Sequence, residues 1–190
     1  MNKQESKYFA TASLMDEALL SLLEKKDYPF ISVKEIAKKA GVNRTTFYLH
    51  YQSMDDLLQE TTEMLGKRFL AAFADVDKSD AQTSVLTKEK YLLPYLNFVK
   101  QNKRVYKLVH EKPELFGNDY AFKRMYAKIF DNALKNFGVA QNDRPYVFAF
   151  YTQGTLAIVG EWLNNDCAED VRHVAELIET HTLANETHDK

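Results

Sequence analysis

Two short helices joined at a glycine are predicted within residues 32–51, and this pattern constrains the fold more than any other part of the chain. Ser32 and Glu35 have the spacing of a capping box, which satisfies the free amides at the start of a helix. Apolar residues then recur at helical spacing: Val33, Ile36, Ala37 and Ala40. Gly41 can end this helix with a positive φ, and Asn43 can cap the next one. A helix, a glycine-containing turn and a second helix are typical of a helix-turn-helix, whose second helix fits the DNA major groove.

The composition favours one helical domain, or two small ones, with a substantial core. The chain has 190 residues, of which 45% are apolar and 13% aromatic, whereas Gly (6) and Pro (4) are scarce. The single cysteine, Cys167, excludes an internal disulfide and a cysteine-based zinc site. The N-terminus does not resemble a signal peptide, and no apolar run is long enough for a membrane span. We therefore expect a cytoplasmic protein with no membrane partner.

Charge is unevenly distributed along the chain. The net charge is −2, but six basic and two acidic residues between positions 25 and 51 give that segment +4. The basic residues are Lys25, Lys26, Lys34, Lys38, Lys39 and Arg44. A basic patch on an acidic body is typical of a protein that contacts DNA with one surface. A solvated, lysine-rich helix face would give the same count.

Helical periodicity continues through most of the chain, and we expect an all-α protein of about nine helices. The predicted helices cover residues 5–26, 32–40, 43–51, 57–74, 88–101, 103–110, 120–137, 143–164 and 168–183. Phe9 belongs to the apolar stripe of the first helix, and Phe30 and Ile31 are expected to enter the small core after it. Residues 75–87 and 111–119 have the composition of loops.

Two strings carry a resemblance to a known family. IAKKAGVNRTTFYLHYQSMDDLL at residues 36–58, preceded by SVKE, resembles the DNA-binding core of the TetR family of bacterial transcription regulators. FYTQGTLAIVGEWLNND at residues 150–166 resembles the penultimate helix of a subgroup with a short C-terminal domain, which includes regulators linked to dihydroxyacetone kinase genes. The resemblance implies a homodimer with a three-helix DNA-binding domain at 1–52 and a helical effector-binding and dimerisation bundle at 53–190. It further implies a repressor that binds a palindromic operator and is released by a small molecule.

The start of the second motif helix is predicted to face the bases, because the N-terminal residues of a recognition helix reach base edges. Arg44 can bind guanine O6 and N7 together, and a threonine can bond through its hydroxyl or pack on a thymine methyl. Tyr48 and His50 are better placed for phosphates, as is Ser32. Lys34 corresponds by position to a family residue that reaches a base or a phosphate. The predicted DNA-binding residues are Ser32, Lys34, Asn43, Arg44, Thr45, Thr46, Tyr48 and His50.

The chain departs from the family pattern at the start of the fourth helix. Family members commonly carry a lysine there that meets a phosphate, whereas this chain has Gln52, Ser53 and Met54. Backbone amides at the helix N-terminus can bind an anion in its place. Weaker affinity is the alternative, as is compensation by the lysines at 25, 26, 38 and 39.

For the C-terminal part, the resemblance implies an effector pocket and a dimer interface. Aromatic walls with a few hydroxyls suit an apolar or amphipathic molecule, although aromatic residues at helical spacing also form ordinary core. The candidate pocket residues are Tyr91, Tyr95, Phe98, Tyr126, Phe130 and Tyr151. The candidate interface residues are Gly154, Ala157, Ile158, Glu161, Trp162, Val171, Val174 and Ile178. The uncharged helix at 143–164 can equally be the core of one protomer.

Catalysis is not expected. The sequence contains no glycine-rich phosphate loop, no H-E-x-x-H and no G-x-S-x-G, and its five histidines are scattered. We therefore expect no enzyme activity, no metal and no cofactor. Three hypotheses stay open: a repressor released by an effector, a DNA-binding co-activator that works through protein partners, and a helical binding protein without DNA function.

Overall fold

The computed structural model describes residues 3–71, 89–116, 134–135 and 138–183, and every element bounded within these ranges is helical. The α-helices are α1 (Lys3–Leu23), α2 (Val33–Ala40), α3 (Arg44–His50), α4 (Met54–Ala71), α5 (Glu89–Gln101), α6 (Lys103–Glu111), α7 (Pro113–Phe116), α8 (Arg144–Asn164) and α9 (Val171–Leu183). A 3-10 helix, Tyr28–Phe30, lies between α1 and α2. The predicted all-α class is confirmed.

The boundaries of the predicted helices that the structure describes lie within three residues of the predicted ones. α4 begins at Met54, three residues before the predicted Leu57, because Ser53 caps it. The segment 111–119, predicted as a loop, contains the short helix α7. The predicted helix at 120–137 lies outside the described residues except for 134–135. No helix within the described ranges combines the length and apolar character needed to cross a membrane.

The chain divides into two compact units. The first comprises Met1–Leu65 with Glu111–Gly117, and the second comprises Gly66–His110 with Asn118–Lys190. The predicted boundary at residue 52 therefore falls inside the first unit, which also takes in the first two thirds of α4. The segment that carries α7 joins the first unit from much later in the sequence.

The first unit is built around the three N-terminal helices. α1 packs against α2, and α2 packs against α3. Its side chains with no more than 1% of their surface exposed come from all of these helices and from α4: Met15, Leu19, Leu23, Ile36, Phe47, Leu57 and Thr61. This core fixes the orientation of α3 relative to the rest of the unit.

The second unit has its core where α9 packs on α5 and α8. The buried cluster contains Leu92, Leu96, Val99, Val159, Trp162, Leu163, Cys167, Val171, Val174, Ala175 and Ile178. The indole N–H of Trp162 donates to the carbonyl of Glu169 at 3.2 Å, so its one polar group is satisfied. This unit therefore contains a continuous apolar core shared by three helices.

Two aromatic side chains expected in the core are exposed. Phe9 has 58% of its surface exposed, and the other described side chains at positions 6–10 of α1 are exposed as well. Phe30 has 73% exposed, whereas its neighbour Ile31 has 6%. The chain turns at the 3-10 helix and directs these two consecutive side chains differently. The expectation was therefore wrong for Phe9 and Phe30 and correct for Ile31.

Candidate nucleic-acid interface

The start of α2 is fixed by the predicted capping box. The hydroxyl of Ser32 accepts from the amide of Glu35 at 3.4 Å, and the Glu35 carboxylate accepts from the Ser32 amide at 3.0 Å. The Ser32 hydroxyl also donates to the Glu35 carboxylate at 2.7 Å. Ser32 is exposed, but its hydroxyl hydrogen is engaged within its own helix. A phosphate contact from Ser32 would compete with the hydrogen bonds by which this residue caps α2.

Glu35 also connects α2 to the segment after α1 through an ion pair with Lys26. The ammonium group of Lys26 donates in addition to the carbonyl of Phe30 at 2.7 Å. Hydrogen bonds from Lys26 and Ser32 lower the pKa of Glu35 from 4.5 to about 2. Lys26, one of the lysines proposed to compensate at a phosphate, is thus already held by two internal acceptors.

The turn between α2 and α3 has the predicted geometry. Gly41 has φ +70°, a left-handed conformation that favours glycine, and the amide of Val42 bonds back to the carbonyl of Ala37 at 2.9 Å. Asn43 then caps α3, since its side-chain oxygen accepts from the amide of Thr46 at 2.7 Å. The hydroxyl of Thr46 donates to the same oxygen at 3.0 Å. Asn43 and Thr46 therefore hold each other in place at the start of α3.

α3 has one buried side and one open side. Phe47 is completely buried and anchors the helix, as expected. At 3.6 residues per turn, Thr45 and Leu49 each lie about 160° around the axis from Phe47, which makes them the most outward positions. Both are exposed, as are Arg44 and Tyr48 beside them. The open face therefore combines a guanidinium, a hydroxyl, a phenol and an aliphatic side chain.

Leu49 is a member of this face that the sequence analysis did not identify. It has 74% of its surface exposed. The available signal was its position four residues after Thr45, which places both on one side of a helix. Sequence reasoning focused on polar and basic residues, and it passed over an apolar one.

His50 lies partly inside the first unit, although it was predicted to contact a phosphate. Its ring stacks on that of Tyr8 with 4.0 Å between centroids and 19° between planes. Its Nδ1 is buried and has no hydrogen-bond partner among the described residues. Burial lowers the pKa of His50 below 6.5, against a smaller opposite effect from Glu60. Tyr8 is 42 positions away in sequence, so no local pattern indicated this contact.

The start of α4 is closed to an anion at two of its amides. The carboxylate of Asp56 accepts from the amides of Gln52 at 2.9 Å and Ser53 at 3.1 Å. In return, the Ser53 hydroxyl accepts from the Asp56 amide at 3.1 Å. Asp55 adds a second carboxylate, which accepts from the phenol of Tyr28 at 2.6 Å. Of the alternatives that the sequence left open, binding of a phosphate by the Gln52 and Ser53 amides would require displacement of the Asp56 carboxylate.

Five basic residues of the predicted patch remain on the surface. They are Lys25, Lys34, Lys38, Lys39 and Arg44, and each is exposed. Lys38 and Lys39 lie in the last turn of α2, close in sequence to the turn that leads into α3. The exposed face of α3 and these cations belong to one compact unit. Together they can attract a polyanion and present a base-reading helix to it.

The candidate pocket residues are only partly within the described structure. Tyr126 and Phe130 lie outside it, as does the side chain of Tyr91. Tyr95 and Phe98 each meet the buried ring of Phe69 edge-on, with centroids 5.8 and 5.9 Å apart. Phe98 also meets Tyr106 at 5.6 Å. The half-buried Tyr151 lies on α8, where its ring meets that of Phe150 at 5.6 Å.

The candidate interface residues separate into two groups. Trp162, Val171, Val174 and Ile178 are no more than 9% exposed and belong to the core of their own unit. Ala157 and Glu161 are exposed on α8, and Gly154 and Ile158 are half-buried. A stripe of exposed residues follows one side of this helix at spacings of three and four: Tyr146, Ala149, Phe150, Gln153, Leu156, Ala157 and Glu161.

Two family models match the chain. Bacterial regulatory proteins of the tetR family match at residues 17–61, and a transcriptional regulator C-terminal region matches at residues 86–182, just over half of the chain. The chain is 28% identical over 171 residues to the uncharacterized HTH-type transcriptional regulator YxbF of Bacillus subtilis. That alignment covers 85% of this chain but only 42% of YxbF, so the chain spans less than half the length of this relative.

Solved structures of regulators share the fold. A TetR-like transcriptional regulator from Rhodococcus sp. RHA1 has a TM-score of 0.71 at 19% identity, covering 93% of this chain and 97% of that one. NalD of Pseudomonas aeruginosa, the secondary repressor of a multidrug efflux pump, has a TM-score of 0.60 at 17% identity, covering 94% and 96%. The dihydroxyacetone kinase operon activator DhaS has a TM-score of 0.50 at 20% identity, covering 92% and 94%. DhaS comes from the group that the sequence at 150–166 resembled.

Proposed function

The chain belongs to the tetR family of bacterial regulatory proteins, and we propose that it is a DNA-binding transcriptional regulator that acts as a homodimer on a palindromic operator. The observation that supports this most is the open face of α3, which lies opposite the buried Phe47 on a helix capped at Asn43. A seven-residue helix can contact only a few base pairs. Two copies about 34–36 Å apart read enough sequence for selective binding.

Within each half-site, we assign the base contacts to the outward residues of α3. Arg44 binds a guanine edge through two hydrogen bonds, and Thr45 contacts a neighbouring base. Thr46 contributes through Asn43, because its hydroxyl is engaged at the cap. These residues determine which sequence is bound.

The phosphate contacts come from groups around α3. Tyr48 is 52% exposed beside Arg44, and Lys34 is exposed on α2. His50 can serve a phosphate only through the part of its ring that faces away from the buried Nδ1. Ser32 contributes chiefly as the cap of α2. Since Asp56 occupies two amides at the start of α4, we expect Lys25, Lys38 and Lys39 to supply the remaining positive charge.

The proposed dimer uses the exposed stripe of α8. Phe150 has 63% of its surface exposed, Tyr146 has 78% and Leu156 has 39%, which leaves large apolar groups in water along one helix. Ala157, next to Leu156 on the same stripe, lets a second helix approach closely. A self-complementary contact of this kind is the usual basis of a two-fold symmetric dimer.

We further propose that the protein is a repressor released by an apolar or amphipathic effector. The ring contacts of Phe69 with Tyr95 and Phe98 give the second unit an aromatic region of the kind such a molecule prefers. The solved relatives include a repressor, NalD, and an operon activator, DhaS. A reporter gene is placed under the control of the DNA upstream of the protein's own gene. Its expression with and without the protein decides between repression and activation.

Binding to that upstream DNA as a function of salt tests the proposal. A dimer that neutralises several phosphates should lose roughly a thousandfold or more in affinity between about 50 and 200 mM salt, and should prefer the cognate duplex over a scrambled one. A flat salt profile with no sequence preference would instead favour the helical binding protein without DNA function.

A further inference from the structure

Leu49 is an unusual residue to find on the outward side of α3. It is 74% exposed and lies about 160° around α3 from Phe47, so it points directly away from the core. It has no hydrogen-bonding group, and therefore cannot bind a phosphate or a polar base edge. An aliphatic side chain that is exposed to water here contributes favourably to binding only if an apolar group of the partner covers it.

The exposed cations of the first unit indicate what covers Leu49. Arg44 is exposed at the start of α3, and Lys34, Lys38 and Lys39 are exposed on the preceding helix. A unit whose surface carries these cations matches a polyanion better than an apolar protein surface. The major groove of DNA offers one apolar group on the base edges, which is the 5-methyl group of thymine.

We propose that Leu49 packs on a thymine 5-methyl group and makes the protein select thymine at one position of each half-site. This inference rests on the proposed function, because it requires α3 to lie in the major groove. Leu49 follows Thr45 by four residues, which is about one helical turn along the groove. The selected thymine therefore lies beyond the bases that Arg44 and Thr45 contact, toward the end of α3.

The experiment removes the methyl group alone. Random duplexes are selected by binding to the full-length protein, and the tightest selected duplex becomes the probe. Each thymine is then replaced in turn by deoxyuridine, in both half-sites together. At one position we expect wild-type affinity to fall about fifteenfold, since a buried methyl contributes about a fourfold effect per half-site.

Leu49→Ala identifies the side chain responsible. Its affinity for the thymine probe should fall, and its penalty for deoxyuridine at that position should shrink to about twofold or less, as expected when two groups interact directly. Leu14→Ala is the matched control, because Leu14 is a leucine on α1 with 53% of its surface exposed. That variant should keep the full wild-type penalty. Circular dichroism confirms that both variants are folded.

Several outcomes overturn the proposal. The proposal fails if no position shows a penalty for deoxyuridine. It also fails if the penalty persists undiminished in Leu49→Ala. A penalty that disappears in Thr45→Ser but not in Leu49→Ala would assign the methyl contact to Thr45. If no selective duplex is recovered at all, the proposed function itself fails, and this result is distinct from selective binding without methyl dependence.

Discussion

The hydroxyl of Thr61 in α4 donates to the carboxylate of Asp16 in α1 across 2.8 Å, and both side chains are buried. Thr61 is fully buried and Asp16 is 4% exposed, so this polar contact lies inside the apolar core of the first unit. The carbonyl of Leu57 lies at the same distance from that hydroxyl. Asp16 also raises the pKa of the neighbouring phenol of Tyr51, after burial itself. The contact joins the helix that precedes the DNA-binding motif to the helix that follows it.

Replacing Thr61 by valine should destabilise the protein. Valine has nearly the same shape but cannot donate, so the buried carboxylate of Asp16 loses one hydrogen bond. We expect the free energy of unfolding in urea at neutral pH to fall by about 2 kcal/mol. Thr61→Ser, which keeps the hydroxyl, should recover most of the hydrogen-bond contribution. Equal losses in the two variants would show that the methyl group matters and the hydrogen bond does not.

Arg44→Ala should relax the sequence preference of the protein. Loss of a bidentate hydrogen bond to guanine should weaken the binding free energy by about 1–3 kcal/mol at that base pair and have little effect at others. Competition between cognate and substituted duplexes measures the effect. Lys39→Ala is the comparison: loss of a phosphate contact should weaken all duplexes alike and reduce the salt dependence. Unchanged discrimination in Arg44→Ala would contradict its assignment.

Two substitutions at Asn43 separate its structural role from its place at the DNA. Asn43→Ala removes the cap of α3 and should lower the free energy of unfolding by about 1 kcal/mol. Asn43→Asp keeps an oxygen for the Thr46 amide but adds a negative charge at the surface that is proposed to face DNA. It should remain as stable as wild type while its affinity for the operator falls. Wild-type affinity in Asn43→Asp would place this residue away from the phosphates.

Stability should decrease on acidification because of His50. Burial lowers its pKa in the folded protein below 6.5, so the unfolded chain binds a proton first as the pH falls. The stabilisation is therefore present above 6.5 and is lost progressively as the pH drops below that value. Urea midpoints at about pH 7.5 and 5.5 should differ more for wild type than for His50→Gln, which does not titrate. Identical pH dependence in the two proteins would rule out His50 as the source.

A charge on the exposed stripe of α8 should disrupt the proposed dimer. Phe150→Asp places a carboxylate where the second copy is proposed to pack, and sedimentation velocity should show a monomer with weakened operator binding. Leu14→Asp is the matched control, since Leu14 is 53% exposed in the other unit and should leave the dimer intact. A dimer that persists in Phe150→Asp would move the interface to a different face.

The motif helices could be predicted in detail because their signals are local. The capping pair Ser32 and Glu35, the left-handed Gly41 and the cap at Asn43 each involve residues within four positions of each other, and the structure confirms all of them. The inward position of Phe47 follows from the same local register. Short-range hydrogen bonds and helical period are therefore sufficient to define this part of the fold.

The features that the sequence did not predict depend on contacts between residues that are distant in sequence, or on side-chain positions that helical periodicity does not determine. The stacking of His50 on Tyr8 joins residues 42 positions apart. The helical spacing of Trp162 and Ile178 is compatible with a dimer interface and with a core. The structure places both residues in the core of the second unit. At the start of α4, the group that the Gln52 and Ser53 amides bind could be determined only from the position of the Asp56 carboxylate.

The segment that carries α7 matters for anyone who wishes to transplant the unit that is proposed to bind DNA. Lys112 forms an ion pair with Asp27, and Phe116 is 4% exposed, so a piece of chain from beyond residue 110 is built into the first unit. A chimera that exchanged only the opening 52 residues would combine Asp27 from one parent with Lys112 and Phe116 from the other. Hybrid regulators with new operator specificity should therefore carry both stretches from the same donor.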